Sequence, residues 1–141
     1  MENILECRGL TKDYKGLRAL NNLTFSLPDE GRIVGLLGTN GSGKTTFIKL
    51  MAGLLTPSSG YLRIAGLSIG TETKSLVAYL PDSNFLNDSF TVRQEVEYYR
   101  DFFADFDEAR AWKMIEELGV SKTQKVRALS KGTKEKLGLI L

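Results

Sequence analysis

Nine residues carry the clearest chemistry in this sequence. Gly38-Thr39-Asn40-Gly41-Ser42-Gly43-Lys44-Thr45, followed by Thr46, fits the pattern G-x-x-x-x-G-K-[ST]. The glycines let the backbone curl until several N–H groups face one centre, which favours an anion. A helix opening after Gly43 adds its positive end to the same centre. Lys44 is placed to reach the β- and γ-phosphates of a nucleotide, and the Thr45 hydroxyl to bind Mg²⁺. Thr46 can hydrogen-bond the α-phosphate. The pattern needs a buried strand before it and a helix after it, and the flanking sequence offers both.

The apolar run Ile33-Val34-Gly35-Leu36-Leu37 reads as a central parallel strand, buried on both faces. Lys44 to Leu55 reads as a helix with Phe47, Ile48, Leu50, Met51 and Leu54 on its apolar side, ended by Thr56-Pro57-Ser58-Ser59-Gly60. Before the loop, Ile4–Arg8 and Arg18–Leu27 alternate and are closed by Pro28-Asp29-Glu30-Gly31, which predicts an antiparallel β layer. Tyr61–Ala65 and Leu76–Leu80 read as further strands.

After Pro81 the pattern turns helical. Thr91 and Gln94 form a capping box, with Val92, Val96, Tyr99 and Phe103 on one face. Asp107 caps a second helix with Ala109, Trp112, Ile115 and Leu118 inward, stopped by Gly119. Ser130 caps a third.

The bulk numbers exclude other classes. A net charge of +2 over 141 residues gives no basic patch for nucleic acid. The sequence has no histidine, which removes the commonest general base, and its one cysteine, Cys7, has no partner for a disulfide. No apolar run approaches the about 20 residues of a membrane helix, so a membrane role would come through a partner.

Leu129-Ser130-Lys131-Gly132-Thr133 resembles the signature of ABC ATPases, usually L-S-G-G-Q, and lies after a helical insert as it does in that family. Leu129, Ser130 and Gly132 match; Lys131 and Thr133 depart. The resemblance runs from Ile4 to Leu141 and implies an α/β fold: a P-loop NTPase core with an N-terminal antiparallel β layer and a helical subdomain, divided as 1–81 and 82–141. It implies that Ser130 and the Gly132 N–H hold the γ-phosphate of ATP bound to a second ATP-binding subunit. It places Tyr14 where the family stacks an aromatic on adenine, although an edge-strand tyrosine would read the same. It places Asp82, after Tyr79-Leu80-Pro81, where the family has a glutamine that touches Mg²⁺ and the attacking water. A turn aspartate after proline is the other reading of that residue.

The resemblance further implies ATP and Mg²⁺ as ligands, with Lys44 and Asp82 in catalysis. The partners would be a transmembrane permease and a second copy of the subunit, at the cytoplasmic face of the membrane. In the family an apolar strand ending in Asp-Glu and a later histidine follow the signature. Neither occurs by Leu141, so a fragment of a longer protein is expected, one that binds nucleotide and hydrolyses it very slowly or not at all. The alternatives are a soluble ABC ATPase that does not transport and a nucleotide-binding module without hydrolysis.

Overall fold

The computed structural model describes residues 3–83 and 85–141; Met1, Glu2 and Asn84 lie outside them. The chain forms two compact units, Met1–Tyr79 and Leu80–Leu141.

In the first unit, strand β1 (Asn3–Tyr14) lies between β2 (Leu17–Pro28) and β3 (Ser59–Ile64), both antiparallel to it, and the short β4 (Leu67–Ser68) extends β3. β1 runs well past the Arg8 that alternation suggests, because its phase changes midway. Leu5 and Cys7 point inward, then the register shifts and Leu10 takes the inward position. Gly9 makes the shift with φ of +59°, and a Cβ on the facing Gly60 would lie 2.3 Å from the Gly9 backbone. A bulge with this close an approach needs glycine on both strands. The buried Thr11 hydroxyl is satisfied there, donating to Gly9 O and accepting from Asn22 N.

Helix α1 (Lys44–Met51) lies on one face of this sheet. Phe47 and Leu50 are buried with Leu5, Cys7, Leu10, Leu20, Leu62 and Ile64, and the Phe25 and Phe47 rings stand 5.6 Å apart. Burying a side chain of that size contributes about 1.5–3 kcal/mol, so this pair attaches the helix firmly. Ile48 and Leu54, expected on the same face, are exposed, and the helix ends before Leu54.

Two expected strands are absent. Ile33–Leu37 has no ladder partner among the described residues, and Ile33 and Leu37 are almost fully exposed. Leu76–Leu80 follows the short helix α2 (Thr71–Lys74) as irregular chain. Apolar patterning reports which side chains favour burial; a strand also requires a neighbour to receive its backbone hydrogen bonds, and neither run has one.

The second unit holds α3 (Val92–Phe102), α4 (Glu108–Glu117) and α5 (Lys131–Ile140), with a 3₁₀ turn at Val126–Ala128. The three expected caps are present: Thr91 with Gln94, Asp107 accepting from Arg110 N, and Ser130 accepting from Thr133 N. Gly119 follows α4 with φ of +67°. The core is Leu86, Val92, Val96, Ile115, Val126, Leu129 and Leu137. Two expected core positions are corrected. Ala111 is buried and Ala109 is exposed, since Ala111 sits four residues before Ile115 on the inward face. Phe103 is the exposed C-cap of α3, where the helical period no longer directs it.

Glu95 is buried inside this unit and accepts from the Asn87 N–H. Burial raises its pKa, and the Asn87 bond opposes part of the rise. A carboxyl whose folded pKa is raised is favoured neutral, so its contribution is fully present below the unfolded pKa and is lost as pH rises through the folded one. The nearby Tyr99 is raised as well, first by burial and then by Glu95, so it stays neutral across this range. Glu95→Gln keeps an acceptor for Asn87 without a charge. It is expected to lose less stability than the parent between about pH 4.5 and pH 7.5, read by urea unfolding at both ends. Parallel pH profiles would overturn this.

Candidate functional site

The phosphate loop is built by a strict contact at its end. Gly43 caps α1 with φ of +91°. A Cβ there would lie 2.4 Å from Ala19 O and 2.8 Å from Leu20 Cδ2 of β2. Both the backbone conformation and the space therefore demand glycine, and this fixes the start of α1 against β2. Phe47 N bonds to Gly43 O at 2.9 Å and starts the helical ladder.

Upstream, Asn40 and Gly41 form the turn, closed by Ser42 N donating to Thr39 O at 3.2 Å. Lys44 folds over it: Nζ donates to Gly38 O and Thr39 O, both at 2.7 Å, and to Ser42 Oγ at 3.4 Å. At Gly38 a Cβ would come 2.6 Å from Ser42 Oγ, so the loop closes on a residue without a side chain. The ammonium is thus held at the mouth of the loop by neutral oxygens, in reach of an anion seated on the loop. Thr45 lies in the first turn of α1 and is exposed.

Tyr14 reaches the same place. Its hydroxyl lies 3.5 Å from Thr46 Oγ1, and the residue is 41% exposed. Lys12, which the sequence reading passed over, holds its ammonium 5.5 Å from the centre of the Tyr14 ring and donates to Thr56 O at 2.8 Å. The available signal was its spacing, two residues before Tyr14 and on the same strand face. Arg18 bonds Asp13 at 2.7 Å and ties the hairpin beside Tyr14.

The remaining candidates lie in the second unit. Ser130 Oγ accepts from Thr133 N at 3.2 Å and meets Thr133 Oγ1 at 2.8 Å. Nothing stands within 4 Å of a Cβ at Gly132, in the first turn of α5. Lys131 is exposed and lies 3.9 Å from Glu135, one turn along. Asp82 is exposed in irregular chain, in a different unit from Thr45. Of the apolar residues between Pro81 and α3, Leu86 is core, Phe90 half-buried and Phe85 41% exposed.

Gly43→Ala is expected to destabilise the first unit by about 2–5 kcal/mol, since strain at positive φ adds to a clash with rigid backbone. Gly41→Ala shares the positive φ, but nothing stands within 4 Å of its Cβ, and it should cost only about 1–2 kcal/mol. Urea unfolding of both variants checks this; equal losses would refute the contact with Ala19.

The sequence pattern of the ABC transporter family matches residues 20–141. The ABC transporter ATP-binding protein YtrB of Bacillus subtilis is 33% identical over 140 residues, covering 98% of this chain and 48% of that protein. The cobalamin import ATP-binding protein BtuD of Halobacterium salinarum is 31% identical over 144 residues, covering 94% of this chain and 36% of its own length. A solved structure of the ATP-binding subunit of an ABC transporter superposes with a TM-score of 0.80 at 28% identity, over 97% of this chain and 60% of that one. The chain thus spans half or less of the length of these two curated relatives. The match takes in the Lys44 loop and the Ser130 turn together, and on it the chain belongs to the ABC transporter family.

Proposed function

We propose that this chain forms the nucleotide-holding front of an energy-coupling subunit, in which ATP binding and hydrolysis drive transport through a membrane partner. The observation that carries the reading is the Lys44 ammonium gathered by Gly38 O, Thr39 O and Ser42 Oγ at the N-terminal end of α1. A phosphate seated on the loop N–H groups offers that ammonium a charged acceptor in place of neutral ones, which is the stronger bond.

In this reading Gly38, Asn40, Gly41, Ser42, Gly43, Lys44, Thr45 and Thr46 hold the phosphates of ATP. Thr45 and Asp82 are the Mg²⁺ ligands, and Tyr14 stacks on the adenine. The metal, when bound, would neutralise charge developing on the β- and γ-oxygens. Lys44 would stabilise the same charge from the other side. Ser130 and Gly132 would hold the γ-phosphate of ATP carried by a second subunit, and a transmembrane permease would complete the assembly at the cytoplasmic side of the membrane. Residues 1–81 would act as the β layer and front of the nucleotide core, and 82–141 as the helical subdomain. The relatives named as ATP-binding proteins of transporters support this. Among the described residues no helix is long and apolar enough to cross a membrane.

A titration with a fluorescent ATP analogue and Mg²⁺ tests the site. Lys44→Ala should weaken binding about 10- to 100-fold with the circular dichroism spectrum unchanged. Tyr14→Ala should weaken ATP about tenfold and inorganic tripolyphosphate hardly at all, because only ATP carries a base to stack. Parent-like affinity in Lys44→Ala would overturn the phosphate assignment. Equal losses for both ligands in Tyr14→Ala would overturn the stacking role alone.

A further inference from the structure

The loop from Phe85 to Phe90 bonds to more of the second unit than a connector requires. At its start, Asn87 N donates to the buried Glu95 of α3. Its middle closes on itself, Ser89 N donating to Asn87 Oδ1 at 3.0 Å and Phe90 N to Asn87 O at 2.9 Å. Its outer edge receives the segment that leads into α5: Val126 N donates to Phe90 O at 2.9 Å, Arg127 N to Asp88 O at 3.3 Å, and Lys125 Nζ to Ser89 O at 2.9 Å.

The same loop then grips α5 directly. Lys134 Nζ meets Asp88 Oδ1 at 2.6 Å, and the Lys134 side chain is only 18% exposed. Phe85 lies against Gly138, one turn further on; a Cβ there would lie 2.8 Å from its ring. Lys134 is also the residue whose N–H bonds Ser130 O at 2.9 Å in the first turn of α5. One side chain thus joins that turn to a loop that is itself pinned to α3.

We infer that Asp88 and Lys134 are positioning residues, whose ion pair, seated on the loop that Glu95 anchors, fixes where the N-terminal turn of α5 points. Its functional meaning rests on the proposed reading of Ser130 and Gly132 as phosphate-holding groups, since a displacement of about 1 Å there would misalign a hydroxyl and an N–H meant for one anion. An ion pair between two exposed side chains contributes little. This one has a covered member, the Lys134 side chain being 18% exposed against 57% for Asp88, and the lysine loses a short charged acceptor if Asp88 is changed. Neither residue belongs to the phosphate loop or to the matched signature positions.

Amide hydrogen exchange on the full 141-residue chain tests the pair. Asp88→Asn and Lys134→Gln should speed exchange at Thr133 and Lys134 about tenfold while Val96 and Ile115 change less than about twofold. Lys134→Arg should restore the parent rate, as should the double exchange of Asp88→Lys with Lys134→Asp in large part. Unchanged rates at Thr133 and Lys134, acceleration spread equally to Val96 and Ile115, or no rescue by arginine would each overturn the inference. The exchange pattern gives its answer whether or not nucleotide binds at Lys44, so a failure of the phosphate reading is told apart from a failure of this one.

Discussion

The contact between Gly43 and the carbonyl of Ala19 is the constraint on which the first unit turns. It brings the start of a helix to the backbone of β2 at a distance that no side chain permits. Once that junction is set, Phe47 falls beside Phe25 and Leu50 reaches the sheet core, so the helix is held by burial along its length. The loop before Gly43 has little freedom left. Its carbonyls converge on Lys44, and Tyr14 at the end of β1 comes beside Thr46. A packing contact between a hairpin and a helix thus determines where charge can be received.

The turn at Asn40-Gly41 and the helix that opens at Lys44 were legible in the sequence, because they are set locally, by glycine spacing. The three helix caps of the second unit were legible for the same reason. What patterning misjudged was whatever depended on distant chain. Ile33–Leu37 has the composition of a central strand and lies exposed, since apolar content cannot supply a ladder partner. The length of β1 was hidden by the bulge at Gly9, which reverses the alternation that defines a strand. Ala109 and Ala111 differ by two positions on one helix, and nothing in an alanine distinguishes the inward from the outward one until its neighbours are placed. The place of Lys12 is not legible in the sequence because a lysine on a strand reads as solvated until the tyrosine beside it is seen.

The candidate residues are divided between the two units. Tyr14 and Gly38–Thr46 share the first; Asp82, Ser130 and Gly132 share the second. Ser130 spends its hydroxyl on the Thr133 N–H and hydroxyl, so the turn is ordered by its own residues.

Two lysines show how the same side chain is given opposite work. Lys44 is held by two carbonyls and a hydroxyl, all neutral. A phosphate would offer it a charged acceptor in their place, and a bond between two charges is stronger than one between a charge and a dipole. Lys134 is held by a carboxylate at 2.6 Å and is largely covered. A phosphate gains nothing over a partner that is already charged, so this lysine stays where it is. Charge alone does not mark a lysine as a ligand group: the acceptor that already occupies it decides whether it is available, and by that measure Lys44 is poised to change partners and Lys134 is built to keep its own.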